Sequence, residues 1–159
     1  MALEIERKFR VKGDGWRPLV ARTRRLRQAY LTKNGRLSIR VRIDGDEAGT
    51  LTIKAARSGM ERHEYEYAIP VADAEELMLQ REGSIISKVR HIVPMGSLNW
   101  EIDVFDGENA GLVIAEIELD KSDRVFEHPD WLGEEVTGDR RFYNADLAKR
   151  PYVSWARER

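Results

Sequence analysis

The amino-acid sequence predicts an α+β chain built on a closed, eight-stranded antiparallel β-barrel, a tunnel with a few short flanking helices. Three observations predict it. Short runs of strand character recur along the 159 residues, most of them separated by turn signals. Seven of these runs alternate apolar and polar residues with the period of a strand. Their polar positions are almost purely ionic and come as same-sign neighbours.

In chain order, the first strand covers residues 3–11, and a short helix over 15–21 carries Pro18 in its first turn. Strands 26–33 and 36–44 flank Asn34-Gly35, a dipeptide that tolerates the positive φ angles of a tight hairpin. Asp44-Gly45 turns the chain into 49–55, and 62–69 follows. Residues 73–81 read as a helix, with Asp73 and Glu76 as a capping-box-like start and Gly83 as its stop. Strands 85–93 and 97–105 flank Pro94-Met95-Gly96, and Asp106-Gly107 leads into a last strand, 112–119. A third helical piece spans 144–148. No linker or low-complexity tract divides the sequence, so residues 1–159 are expected to form one domain.

Bulk composition excludes several classes. The 27 basic and 28 acidic residues nearly cancel, which argues against a nucleic-acid coat or a membrane-surface binder. The absence of cysteine excludes disulfides, thiolate metal sites and a cysteine nucleophile. Residues 1–9 hold no apolar run of signal-peptide length, and no stretch approaches a membrane span, so a soluble cytoplasmic protein is expected.

The arrangement of the charges is more informative. Ile5 and Phe9 oppose Glu4, Glu6 and Lys8; Ile39, Val41 and Ile43 oppose Arg40 and Arg42; Leu51 and Ile53 oppose Lys54. Tyr65 and Tyr67 oppose Glu64 and Glu66; Val89 and Val93 oppose Lys88 and Arg90. Ile102 and Val104 oppose Glu101 and Asp103; Ala115, Ile117 and Leu119 oppose Glu116 and Glu118. Like charges on one strand face repel unless something of opposite sign lies between or across from them. The alternation alone leaves two arrangements open. One is an amphipathic sheet with a solvated face. The other is a barrel whose charged faces surround a water-filled interior, with acidic clusters for divalent cations and basic clusters for a polyanion. Carboxylates without His or Cys suit hard cations such as Mg2+ or Mn2+. Arginine presents a planar fork that matches phosphate oxygens, and lysine adds point charge.

Glu4-Ile5-Glu6-Arg7-Lys8 resembles the ExExK motif of the CYTH superfamily, the triphosphate tunnel metalloenzymes. Gln28-Ala29-Tyr30-Leu31 resembles the QGYL-like strand of that family, with Ala29 where glycine is common. Arg40-Val41-Arg42, Lys54, Glu64-Tyr65-Glu66, Lys88-Val89-Arg90, Glu101-Ile102-Asp103 and Glu116-Ile117-Glu118 follow in the family's order. Val136-Thr137-Gly138-Asp139 and Phe142-Tyr143-Asn144 resemble the tail of its short bacterial members.

The resemblance implies an eight-stranded tunnel acting on triphosphorylated substrates with Mg2+ or Mn2+. It implies metal ligands at Glu4, Glu6, Asp103, Glu116 and Glu118, and phosphate ligands at Lys8, Arg40, Arg42, Lys54, Lys88 and Arg90. The reaction expected first is hydrolysis of inorganic triphosphate to phosphate and pyrophosphate. A class IV adenylate cyclase, a thiamine triphosphatase and a non-catalytic polyphosphate- or nucleotide-binding module are the alternatives.

Several residues carry two readings. Tyr30 is either a core or rim tyrosine, or a proton acceptor activated by nearby Lys8; direct activation of a metal-bound water is the competing mechanism. Glu101 shares a face with Asp103 and would substitute for it. Glu64 and Glu66 either bind a second cation or pair with neighbouring Arg and Lys. Asp139, Arg141 and Tyr143 belong to a C-terminal segment expected to plug one tunnel mouth. The apolar exterior makes a homodimer plausible.

Overall fold

The computed structural model describes residues 5–34, 36–56 and 62–155. Nine strands form one sheet among them: β1 (Ile5–Val11), β2 (Arg22–Asn34), β3 (Leu37–Asp44), β4 (Ala48–Ala56), β5 (Arg62–Ile69), β6 (Glu82–Met95), β7 (Leu98–Phe105), β8 (Val113–Leu119) and β9 (Leu132–Glu135). Their spatial order is β5-β4-β3-β2-β6-β7-β8-β1-β9, and every ladder is antiparallel. Helices α1 (Val71–Met78), α2 (Asn144–Lys149) and α3 (Tyr152–Trp155) are short, and three 3-10 turns complete the set.

The strand count corrects the expectation of eight. β9 is only four residues long, Leu-Gly-Glu-Glu, and carries no alternation for a period-two reading to detect. It docks on the free edge of β1, where Arg7 grips Glu135 with two hydrogen bonds of 2.6 and 2.8 Å. The ladders end at β5 and β9, and none joins those two strands among the described residues. The pairing is therefore that of one strongly curved sheet, whose ends approach closely enough that Glu64 of β5 and Glu6 of β1 line the same cavity.

Local signals were partly redirected. The expected capping box is not formed: α1 begins at Val71 with Pro70 as its N-cap, and Asp73 sits in the first turn. Gly83 does not stop that helix but stands near the start of β6 with φ of +73°. A Cβ there would also meet the Ala148 carbonyl oxygen at 2.4 Å, so glycine lets α2 pack onto the strand. The expected helix over 15–21 is reduced to a 3-10 turn, Arg17–Leu19. α2 falls where it was expected; α3 was not expected.

Much of the apolar outer face is covered by the chain itself. Phe9, Trp100, Ile102, Ala115 and Ile117 pack against Trp16, Trp131 and Leu132. Ala74 and Met78 of α1 cover Ala29, Val41 and Ile43. Each large apolar side chain so buried contributes about 1.5–3 kcal/mol.

A third cluster lies on the inner face. Ile86, Phe105 and Ile114 continue the inward positions of β6, β7 and β8, and they pack against Phe142, Leu147 and Ala148 from the C-terminal segment. The inner face is thus charged over one part of its length and apolar over the rest. No helix among the described residues is long and apolar enough to cross a membrane.

Candidate active site

A cavity of about 520 Å³ opens inside the curve of the sheet, and β1 to β8 all contribute to its lining. Its charges are sorted by strand. Adjacent strands β7, β8 and β1 present Glu101, Glu116, Glu118 and Glu6; adjacent strands β3 and β4 present Arg40, Arg42 and Lys54. The ladders put like with like: Glu6 stands opposite Glu118, and Glu101 opposite Glu116. Lys8, opposite Glu116 on the other side, is the nearest relief, with 3.2 Å between Nζ and Oε1. Lys8 also donates to the Phe142 carbonyl at 3.3 Å and lies 4.9 Å from the Tyr143 ring centre.

This crowding has an electrostatic consequence. Glu6 remains accessible to water in the cavity, yet the surrounding walls withdraw enough bulk solvent to push its carboxyl up to about 7. The neighbouring Glu116 adds to the rise, and Lys8 and Lys54 only partly oppose it. A carboxyl held that high retains a proton that a cation would displace. The donors here are oxygens alone, and an oxygen-only set of crowded carboxylates fits a hard divalent cation such as Mg2+ or Mn2+. Among the described residues no three carboxylates stand in a ready-made ligating cluster. Glu4 lies outside the described residues.

The basic side mirrors this. Burial, followed by the proximity of Arg40 and Arg90, pushes Arg42 down to about 10. Its Nε donates to Gln28 Oε1 at 2.9 Å, an uncharged partner. Arg40 donates to Thr52 Oγ1 at 3.4 Å, while its buried Nε has no acceptor among the described residues. Guanidinium groups gathered with so little counter-charge suit a polyanion. Lys54 sits 3.8 Å from Glu64, so at least one β5 carboxylate pairs with a neighbouring lysine.

Deeper in, charges of both signs are matched. Asp103 accepts from Lys88 at 2.8 Å and takes the Arg90 fork at 2.8 and 2.9 Å, and Arg90 also reaches Glu101 at 2.8 Å. Lys88 is 0% exposed and Asp103 1%. Burial alone would raise the Asp103 carboxyl, but Lys88 and Arg90 hold it well below the usual carboxylate range. Burial pushes Lys88 down to about 8 against the pull of Asp103. Lys88 further donates to Asn144 Oδ1 at 3.3 Å.

The expected residues therefore separate. Glu6, Glu116, Glu118, Lys8, Arg40, Arg42, Lys54, Arg90 and Tyr30 line the cavity. Asp103 and Lys88 do not, because the inward positions of their strands descend toward the apolar cluster at Phe105 and Ile86; Glu101 occupies the lining place expected of Asp103. Tyr30 of β2 stands opposite Arg40 in the β2–β3 ladder, so it belongs to the basic wall. Thr137, Gly138, Asn144, Ser38 and Thr52 also line the cavity, and none of them was expected to bind substrate or metal. They are uncharged, so charge alternation passes over them; only the tail motif pointed at Thr137, Gly138 and Asn144.

An antiparallel sheet wrapped around a cavity of opposed carboxylate and guanidinium walls defines a binder of a polyanion together with a cation. The CYTH domain family matches residues 2–152, and the chain belongs to that family. It is 46% identical over 156 residues to an inorganic triphosphatase of Acetivibrio thermocellus, covering 98% of this chain and 99% of that one. It is 40% identical over 152 residues to an inorganic triphosphatase of Nitrosomonas europaea, covering 91% of this chain and 96% of that one. The crystal structure of an inorganic triphosphatase superposes with a TM-score of 0.70 at 35% identity, covering 93% of this chain and 95% of the other.

Proposed function

We propose that the chain hydrolyses inorganic triphosphate to phosphate and pyrophosphate with a divalent cation, Mg2+ or Mn2+. The observation that carries this is the opposed crowding of like charges in one cavity: Glu6 against Glu116, and Arg42 against Arg40 and Arg90. The full-length relatives with this activity support the same reading.

Glu6, Glu116 and Glu118 would hold the cation, joined by Glu4 of the same motif; when bound, it supplies positive charge to the phosphate oxygens. Arg40, Arg42 and Lys54 take the phosphate chain from the opposite wall, and Arg90 extends that wall from β6. Lys8, between the carboxylates and the Tyr143 ring, neutralises Glu116 and reaches toward the same space. In this reading Tyr30, opposite Arg40 in the β2–β3 ladder, would take the proton of the attacking water. In-line transfer needs positioning and charge neutralisation more than covalent help, and these groups provide both. Asp103 and Lys88 act as the charged foundation that fixes Arg90.

In this reading the curved sheet works as a closed tunnel, plugged at its apolar end by the C-terminal segment. Tyr30 and Tyr143 are the aromatic residues of the described lining, and Lys8 engages Tyr143, which favours a substrate without a nucleobase. A homodimer would use the outer face of β5, where Tyr65 and Tyr67 stay exposed.

The test is to incubate the purified protein with Mg2+ and, in parallel, triphosphate, ATP and thiamine triphosphate, measuring phosphate and cyclic AMP. Phosphate released chiefly from triphosphate is expected. Cyclic AMP as the main product overturns the assignment. Tight triphosphate binding without turnover would make the protein a binding module instead.

A further inference from the structure

Gln28 is uncharged and 0% exposed on the inward side of β2, between Arg42 of β3 and Ile86 of β6. In the β2–β3 ladder it stands directly opposite Arg42, and its Oε1 accepts from Arg42 Nε at 2.9 Å. Its Nε2 is buried with no acceptor among the described residues. The amide orientation follows from this contact, because the NH2 group would set donor against donor. An orphaned buried N–H is a stability cost that an apolar side chain of similar size would remove.

The cavity holds its guanidinium groups in two ways. Arg90 is gripped by Asp103 and Glu101, whose carboxylates cancel its charge while they fix it. Arg42 is fixed by a carbonyl dipole, which orients the fork and leaves the full charge available. We propose that Gln28 is a positioning residue for the substrate anion, a neutral acceptor that aims Arg42 into the cavity without neutralising it. The proposal rests on the reading of the cavity as a triphosphate site and adds a residue that charge patterns cannot reveal.

The test uses Gln28→Leu, Gln28→Glu, Arg42→Ala and the double variant Gln28→Leu/Arg42→Ala in the full chain. Gln28→Leu removes the acceptor of Arg42 Nε, and kcat/KM for triphosphate should fall at least about tenfold. The double variant should be no worse than Arg42→Ala, since both changes remove one function. Gln28→Glu should raise KM more than it lowers kcat, and flatten the dependence of KM on ionic strength toward that of Arg42→Ala. A purely structural Gln28 would instead give losses additive with those of Arg42→Ala, and that pattern overturns the proposal.

A readout independent of turnover is the Arg42 Nε–H signal in nitrogen-edited NMR spectra, assigned by its loss in Arg42→Ala. It should be protected from exchange in the parent and in Gln28→Glu, and lose protection in Gln28→Leu. An unchanged Arg42 signal in Gln28→Leu also overturns the proposal. If the parent protein does not hydrolyse triphosphate but the signal responds as expected, the triphosphate reading fails and the positioning role stands.

Discussion

Two carboxylates on the inner face of the same sheet behave in opposite ways. Asp103 has both oxygens occupied by Lys88 and Arg90, and its carboxyl is held well below its usual range. Glu6, desolvated by the cavity walls and set beside another carboxylate, is pushed up to about 7. The difference lies in their company. Asp103 is deep and gripped by two cations, Lys88 and Arg90; Glu6 is near the mouth, on a wall where negative charges face one another across the ladder. Matched charges build the foundation of the cavity, and like charges crowded on one wall are where a ligand of opposite sign gains most.

The largest effect that would break this comparison is at Asp103. Asp103→Ala leaves Lys88 buried without its carboxylate and Arg90 with Glu101 alone, and should cost about 3–5 kcal/mol of stability, read from urea unfolding. A loss below about 1 kcal/mol would mean the deep cluster is no foundation. Next is Glu116→Gln, which should lower metal-dependent turnover about a hundredfold while the melting temperature holds or rises. Equal damage to stability there would erase the distinction between the two clusters. Arg42→Ala follows, with kcat/KM for triphosphate lowered about ten- to a hundredfold, the worth of a charge-assisted hydrogen bond.

The smallest effect is the pH dependence, where the two carboxylates have opposite signs. Between 4.5 and about 7 the folded chain binds the Glu6 proton more tightly than the unfolded chain, so this contribution to stability falls as pH rises through that window. Asp103 contributes stability that is fully present above its ordinary 3.8 and is lost as pH falls below it. Urea midpoints should therefore rise slightly as pH drops from 7 toward 4.5 and fall steeply at lower pH. Glu6→Gln should abolish the first change and keep the second. Mn2+ affinity, measured by titration calorimetry, should increase with pH up to about 7 and then level off, because the cation competes with the Glu6 proton.

Much of this was legible in the residue order. The period-two alternation correctly assigned Glu6, Lys8, Arg40, Arg42, Lys54, Glu116 and Glu118 to one face, because side-chain direction along a strand is a local property. Asp44-Gly45 marked the β3–β4 hairpin for the same reason, while Gly35 of the Asn34-Gly35 turn lies outside the described residues. What escaped were features without local signature: β9, whose four residues form a strand only because β1 offers them an edge, and the pairing of Gln28 with Arg42, which depends on what lies opposite in the ladder.

The sequence by itself determined which side chains turn inward and that their charges would need ligands or each other. Only the tertiary structure decided which need each would meet. That choice depends on depth along the strand and on register between strands distant in the chain, such as β1 with β8. Coulomb attraction and desolvation act over a few ångströms of space. Lys88 and Arg90, two residues apart in sequence, therefore divide between buried support and cavity wall.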